Sequence, residues 1–446
     1  MLTLRHALTT GGTLLTAFLI FSGHIAAQSP PPALTTLYSF MGGSDGSTPT
    51  ALVVGSGPGG NRILYGVSGG GTSNFGTVFS LTQQAAPVGT WNKTALYNFT
   101  GGTSDGVGPN ALAVGTGPGH SVVYGTTSGG GANSAGIVFS LTPPAAAGDP
   151  WTETVLYNFA AGLSPAPGLA VGSAAGGFPI LYGTTYRGGS SNLGAVYSLA
   201  PPASPGAAWT QAELYSFNGA PGDGATPLAG VVVGCSPGGR NVLYGTTGAG
   251  GFHGGGIVYS LTPPAVHGGP WSETVLANFV YGDKTVFRPA APVLIDGGVL
   301  FGTLQYGGYS TCAAAPPPPG CGGLYAVTLP VPPGGATVNV LYKFSSGGPD
   351  TDGQNPTTGM VMGLGGILYG VTNQGGIWNM GTLYSFTPPT SPGGAWAEAL
   401  VHSFTEAGTD GSFPGSLVAD PGNGVMYGTT GYGGTSNSGT VFSFTP

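Results

Sequence analysis

The chain is short of charge. It has 8 Lys and Arg against 15 Asp and Glu in 446 residues. A nucleic-acid binder needs a basic stripe to neutralise phosphates, and so few cations cannot form one. The shortage also leaves little material for acid/base pairs or metal ligands, and no metal or cofactor is expected. Cysteine is scarce too, with 3 residues. A zinc site would need more ligands at tighter spacing, and no His lies near these cysteines. Cys312 and Cys321 bracket "AAAPPPPG" and are expected to form a loop-closing disulfide in an oxidising compartment, with Cys235 left over. Apolar runs long enough to cross a bilayer are missing, so no membrane span is expected. Beyond the N-terminus, no segment keeps a helical period over ten residues.

What the chain does have is 89 Gly and 40 Pro alongside 40% hydrophobic residues. Disordered segments lack that much apolar surface, so the composition reads as folded and rich in turns. The N-terminus has the parts of a signal peptide: Arg5, the apolar stretch "TLLTAFLIF" (13–21), and small residues in "HIAAQS" (24–29). The expected leader is 1–27, followed by a linker at 28–34. The competing reading of the leader is a buried first helix.

Four phrases recur through the remainder. Tyr65, Tyr124, Tyr182, Tyr244, Phe301, Tyr369 and Tyr427 each precede a Gly, at intervals of 59, 58, 62, 57, 68 and 58 residues. About 12 residues after the aromatic comes Gly-x-Val-Phe/Tyr or a close variant, as in "GIVYSL" (256–261). Leu-Tyr-x-Phe or a close variant ends at Phe40, Phe99, Phe159, Phe217, Phe279, Phe344 and Phe404. The fourth phrase is a short apolar run such as "ALAVG" (111–115) or "GVVVG" (230–234). Each phrase is short, β-branched or aromatic, and bounded by Gly, Pro, Asn or Asp, the pattern of strands between tight turns. Four strands in each of seven units predict an all-β, seven-bladed β-propeller over residues 35–446. A β-solenoid is the rival, but its coils usually repeat over shorter lengths.

The phase of the repeat adds a topological prediction. "TTLYSF" (35–40) is a fourth strand with no first three before it, and "GTVFSFTP" (439–446) is a third strand with no fourth after it. The N-terminal strand 35–40 is therefore expected to join the C-terminal blade and close the ring, leaving fewer free edges. Trp91, Trp151, Trp209, Trp271 and Trp396 each lie five residues before the Leu or Val of strand four. Packing between blades accounts for five equivalent tryptophans better than sugar stacking does.

"LYGTT", the Gly-Gly after it, "GTVFSFTP" and "LYNFTGGTSDG" (96–106) resemble the Gloeobacter/Verrucomicrobia-type (GloVer) tandem repeat of exported bacterial proteins. The resemblance implies export and β-propeller-like repeats; it brings no catalytic residue. Members often end in a surface anchor. Nothing of that kind is recognisable before Pro446, so free secretion is the expectation here.

The glycine-rich phrase does not make a phosphate loop, because no helix and no Gly-Lys-Ser/Thr follows it. A recurring Asp (Asp45, Asp105, Asp223, Asp283, Asp352, Asp410) could bind Ca²⁺ or simply shape an Asp-Gly turn; single carboxylates around a wide ring do not converge on one ion, which favours the turn. Function is then sought where the copies differ. Arg187, His253, Tyr281, Lys284, Arg288 and Tyr306 cluster in the loops of blades three to five and are the candidate ligand-binding residues. Gln305, Tyr309, Trp378, Glu406 and Tyr432 are further departures. Aromatic plus cationic side chains suit stacking on sugars and pairing with uronate or sulfate. The expected function is a non-catalytic, secreted, monomeric module binding a polysaccharide or a cell-surface protein. One alternative is a polysaccharide lyase using His253 with Lys284 or Arg288; another is a structural envelope protein.

Overall fold

In the computed structural model, residues 34–446 are described except 58–60, 85–88, 118–119, 147, 174–178, 203, 205–206, 220, 236–239, 267, 283–285, 309–319, 330–334, 346–351, 392, 406–407 and 409. The expected leader and nearly all of the linker lie outside the described residues.

Seven antiparallel sheets are arranged in a ring, and the strands of the first six follow the sequence order inward to outward. Blade 2 is representative: Gly106–Gly117, His120–Gly130, Ile137–Thr142 and Thr152–Asn158 pair in succession. Blade 7 is built from both chain ends. Gly411–Ala419, Met426–Gly433 and Thr440–Phe444 are completed by Thr35–Ser39, which runs antiparallel to Thr440–Phe444. Thr35 pairs with Ser443 and Ser39 with Thr440. The ring is thus closed by the N-terminal strand.

The triplet glycine has a steric cause. Gly66, Gly125, Gly183, Gly245, Gly302, Gly370 and Gly428 each stand across the ladder from an aromatic residue of strand three. A Cβ at Gly245 would lie 2.3 Å from the Tyr259 hydroxyl oxygen, and one at Gly125 2.3 Å from the Phe139 ring. The ring lies flat over the glycine and reaches the interior between blades.

The glycine that opens strand three is needed for a different reason. Gly76, Gly136, Gly194, Gly256, Gly322, Gly381 and Gly439 all have positive φ, from 84° to 104°. A side chain there would strike a proline of the following blade in most copies, at 2.3 Å for Gly76 against Pro109. This glycine and proline are the close contact where one blade meets the next.

The tryptophans also lie between blades. Trp151 packs edge-on against Tyr65 at 5.9 Å, Trp209 against Tyr124 at 6.1 Å and Trp271 against Tyr182 at 6.3 Å. Trp91 meets Tyr427 and Trp396 meets Phe301 in the same way. Each links the outer strand of one blade to the second strand of the blade before it.

Blades 4 to 6 are less regular near the axis. Their inner strands shorten to Val232–Cys235 and Val361–Met362, or break into Phe287–Pro289 and Leu294–Asp296. Two-residue pairings, Gly224–Ala225 with Ala249–Gly250 and Gly353–Gln354 with Gln374–Gly375, extend blades 4 and 6 on one face.

Candidate functional site

The turns between strands two and three and the connections from one blade to the next share one face, here called the upper face. They are tied to each other: Gly131 N–H donates to the Asp105 carbonyl at 2.7 Å, Gly251 to Asp223 at 2.6 Å and Gly376 to Asp352 at 2.9 Å.

The recurring Asp shapes these connections. The Asp105 carboxylate accepts hydrogen bonds from the Thr100 N–H and hydroxyl, both at 2.7 Å, from Gly106 N–H at 2.6 Å, and from the Tyr97 hydroxyl at 3.1 Å. Asp352 is held the same way by Tyr342, Ser345 and Gly353. Their oxygens are spent on the turn. The glycine-rich phrase is likewise architectural. Thr247 Oγ accepts from Ile257 N–H and donates to the Ala249 carbonyl, and the same pair of bonds recurs at Thr372 and Thr430.

A cavity of about 750 Å³ lies on the axis, and all seven blades contribute to its wall. Thr48, Thr50, Asn110, Ser128, Thr358 and Ser416 supply hydroxyl and amide groups, and Leu112, Val293, Met360 and Leu417 supply apolar surface. No titratable side chain lines it. Such a wall can hydrogen-bond and make apolar contact; it holds no group for proton transfer.

A second cavity of about 740 Å³ lies between blades 3 and 4 and is lined by Ser164, Tyr186, Arg187, Asn192 and Thr226, among others. Arg187 is exposed there. The structure gathers three other candidates beside it in the ring. Tyr281 packs on Phe287 with ring centroids 4.9 Å apart, Phe287 is 6.2 Å from Tyr306, and the Arg288 guanidinium lies 5.5 Å from the Tyr306 ring centre. His253 joins this group through its backbone, its carbonyl accepting from Tyr281 N–H at 3.1 Å. Lys284, Tyr309, Cys312 and Glu406 lie outside the described residues. Cys321 is buried and disulfide-bonded.

Five large aromatic side chains are strongly exposed among the described residues: Phe252 (65%), Trp378 (62%), Tyr281 (60%), Tyr432 (49%) and Phe75 (40%). Four stand on upper-face loops, and Tyr432 lies near the end of the strand Met426–Gly433 that leads into one. Sequence comparison between repeats found Tyr281, Trp378 and Tyr432 but passed over Phe75 and Phe252, although both occupy the same variable turn. It singled out Arg288 but not the repeated position it occupies, just before the blade-contact proline, where the other copies have Thr48, Gly108, Ser164, Thr226, Asn355 and Phe413. That position varies in every copy but one pair, which was the available signal.

Ring closure, the hydroxyl-lined axis and the aromatic face together define a seven-bladed propeller of tandem repeats with one decorated face. The chain belongs to the Gloeobacter/Verrucomicrobia repeat family, whose sequence model matches residues 87–316 and 317–446. No curated protein sequence matches it. Among solved structures, it is similar to a Dyadobacter fermentans protein of unknown function at 10% identity and TM-score 0.42, covering 94% of this chain and all of that one. Trypanosoma rangeli sialidase bound to the inhibitor DANA matches at 11% identity and TM-score 0.40, over 94% of this chain and 60% of the sialidase. Sqt1 from Chaetomium thermophilum matches at 14% identity and TM-score 0.45, over 93% and 91%.

Proposed function

We propose that the protein is an exported, non-catalytic binding module whose upper face holds a polysaccharide. The observation that carries this reading is the placement of the exposed aromatics. Phe75, Phe252, Tyr281, Trp378 and Tyr432 come from different blades, yet all project on one face. Exposed aromatic rings are costly to leave in water and are typical of recognition surfaces. They are separated by glycine loops and by Arg187 and Arg288 rather than fused into one apolar patch. Separate exposed rings of this kind can each stack on a sugar. The axial wall of hydroxyls and amides, without a titratable group, supports binding over turnover. The apolar leader supports export.

The test is co-sedimentation of the chain from residue 28 onward with insoluble polysaccharides, with the soluble products of each incubation sized. Binding without shortening, weakened roughly tenfold by Trp378→Ala plus Tyr281→Ala, is the expected result. Shortened products would overturn the non-catalytic reading and direct attention to His253 and Arg288. Capture of a cell-surface protein with no polysaccharide retained would replace the ligand class.

A further inference from the structure

Arg288 is the odd member of the variable pre-proline position. Six of the seven residues there have positive φ: Thr48 (46°), Gly108 (65°), Thr226 (56°), Arg288 (63°), Asn355 (58°) and Phe413 (55°). A residue before proline is normally extended, so the backbone is strained at the five that are not glycine. Neighbouring blades hold several of them in place. Thr48, Gly108, Thr226, Asn355 and Phe413 each donate their N–H to a carbonyl of the preceding blade at 2.8–2.9 Å. Thr48 and Gly108 line the axial cavity, and Ser164 and Thr226 line the neighbouring cavity with Arg187.

The fold meets this backbone demand with Gly or Asn in two other blades, so an arginine is not required by architecture. Its guanidinium is held over Tyr306, and its Nε is buried with no hydrogen-bond partner among the described residues. None of the ion pairs among those residues includes it. A half-buried cation on an aromatic face, in no ion pair among the described residues, can receive an anion at the guanidinium N–H groups other than the buried Nε. The other six positions carry no charge, so this cation is particular to blade 5.

We propose that Arg288, held over Tyr306 and flanked by Phe287 and Tyr281, is an oxyanion site that selects polysaccharides bearing a carboxylate or sulfate. This rests on the polysaccharide-binding reading and adds the ligand's charge to it. A carboxylate can accept two N–H groups at the edge of the guanidinium, and the exposed Tyr281 ring, packed on Phe287, can stack on the sugar that carries it.

The experiment compares oligogalacturonate, sulfated dextran oligosaccharides and neutral dextran oligosaccharides by calorimetry on the chain from residue 28 onward. The wild type is expected to bind one of the anionic ligands at least about tenfold more tightly than the neutral one, the effect of one charge-assisted contact. The two anionic arms separate carboxylate from sulfate. Arg288→Asn is the chosen variant because Asn355 already occupies the equivalent backbone, and it is expected to abolish the preference of anionic over neutral ligand. Arg187→Asn is the parallel control. Equal binding of anionic and neutral ligands, or a preference that survives in Arg288→Asn or moves with Arg187→Asn, overturns the oxyanion site and leaves the polysaccharide reading standing. Binding of no saccharide overturns both.

Discussion

At the scale of single residues, the repeat is explained by contacts in which one atom more would not fit. Gly245 lies beneath the Tyr259 ring, and a methyl group there would overlap the hydroxyl. Gly245→Ala is therefore expected to destabilise the fold by roughly 1–3 kcal/mol, the usual cost of overpacking, measured by denaturant unfolding. Gly89→Ala is a useful contrast in space, since nothing lies within 4 Å, although its φ of 97° still disfavours a side chain. The scarce charges are also telling. Glu153, Glu273 and Glu398 occupy one repeated position in strand four. Burial, reinforced by Asp105, Asp223 and Asp352 respectively, pushes each carboxyl from 4.5 up to about 7. The tyrosines Tyr97, Tyr215, Tyr259 and Tyr384 face the same charges. Each glutamic acid holds its proton more tightly folded than unfolded. Its contribution is fully present below pH 4.5 and is lost as pH rises through 7. Melting temperature is expected to fall between pH 5 and pH 8, and Glu273→Gln to recover roughly 1–3 °C at pH 8 without effect at pH 4. A pH-independent melt would refute the assignment.

At the scale of strands and turns, the tryptophan at the start of strand four acts as a clasp between neighbours. Trp271 lies against Tyr182 of the preceding blade. It is half-buried, so Trp271→Ala is expected at or below the low end of the cost of about 3–5 kcal/mol for a buried Trp, read from urea unfolding. A double-mutant cycle with Tyr182→Ala should return a coupling of about 0.5–1.5 kcal/mol. Blade 5 carries Ala336 at the equivalent place, in the same apolar cluster as Tyr244. The four strands, their order and the complementary chain ends were legible because each is written as a phrase repeated seven times in fixed phase. The packing role of the tryptophans was legible for the same reason. The candidate site was only partly so. Arg288 and Tyr306 stood out as departures from the repeat, but their contact depends on a cross-strand register, Phe287 opposite Tyr306, that no local pattern encodes. Phe75 and Phe252 were hidden because a phenylalanine in a strand-rich chain reads as core. The short inner strands of blades 4 to 6 escaped notice because their apolar runs look no different from those that pair over their full length.

At the scale of the whole ring, stability depends on one seam. Six interfaces join blades that are consecutive in the chain; the seventh sets Ser47–Ser56 of blade 1 against Gly411–Ala419 and Met426–Gly433 of blade 7, which is itself completed by Thr35–Ser39. The ion pairs concentrate there. Lys93, nearly buried, reaches Asp45 at 2.9 Å and lies over the Tyr38, Phe40 and Phe79 rings. Burial alone would raise the Asp45 carboxyl; hydrogen bonds from Met41 N–H, Lys93 and Tyr38, with the Lys93 charge, more than offset it and hold it below its ordinary range. On the lower side of the same seam Arg62 pairs with the buried Asp420. Removing Arg62 would leave Asp420 uncompensated, and Arg62→Met is expected to cost up to about 3–5 kcal/mol. The closing strand itself bears the larger load. Without residues 28–41, the edge Thr440–Phe444 loses its partner and Phe40 leaves a fully buried position. An unpaired edge seeks another strand. The truncated chain is expected to run as oligomers in size-exclusion chromatography, and a synthetic peptide spanning 34–41 to restore the elution volume of the intact chain. A truncated chain that keeps the intact chain's volume and melting temperature without the peptide would show that the ring holds with blade 7 reduced to three strands.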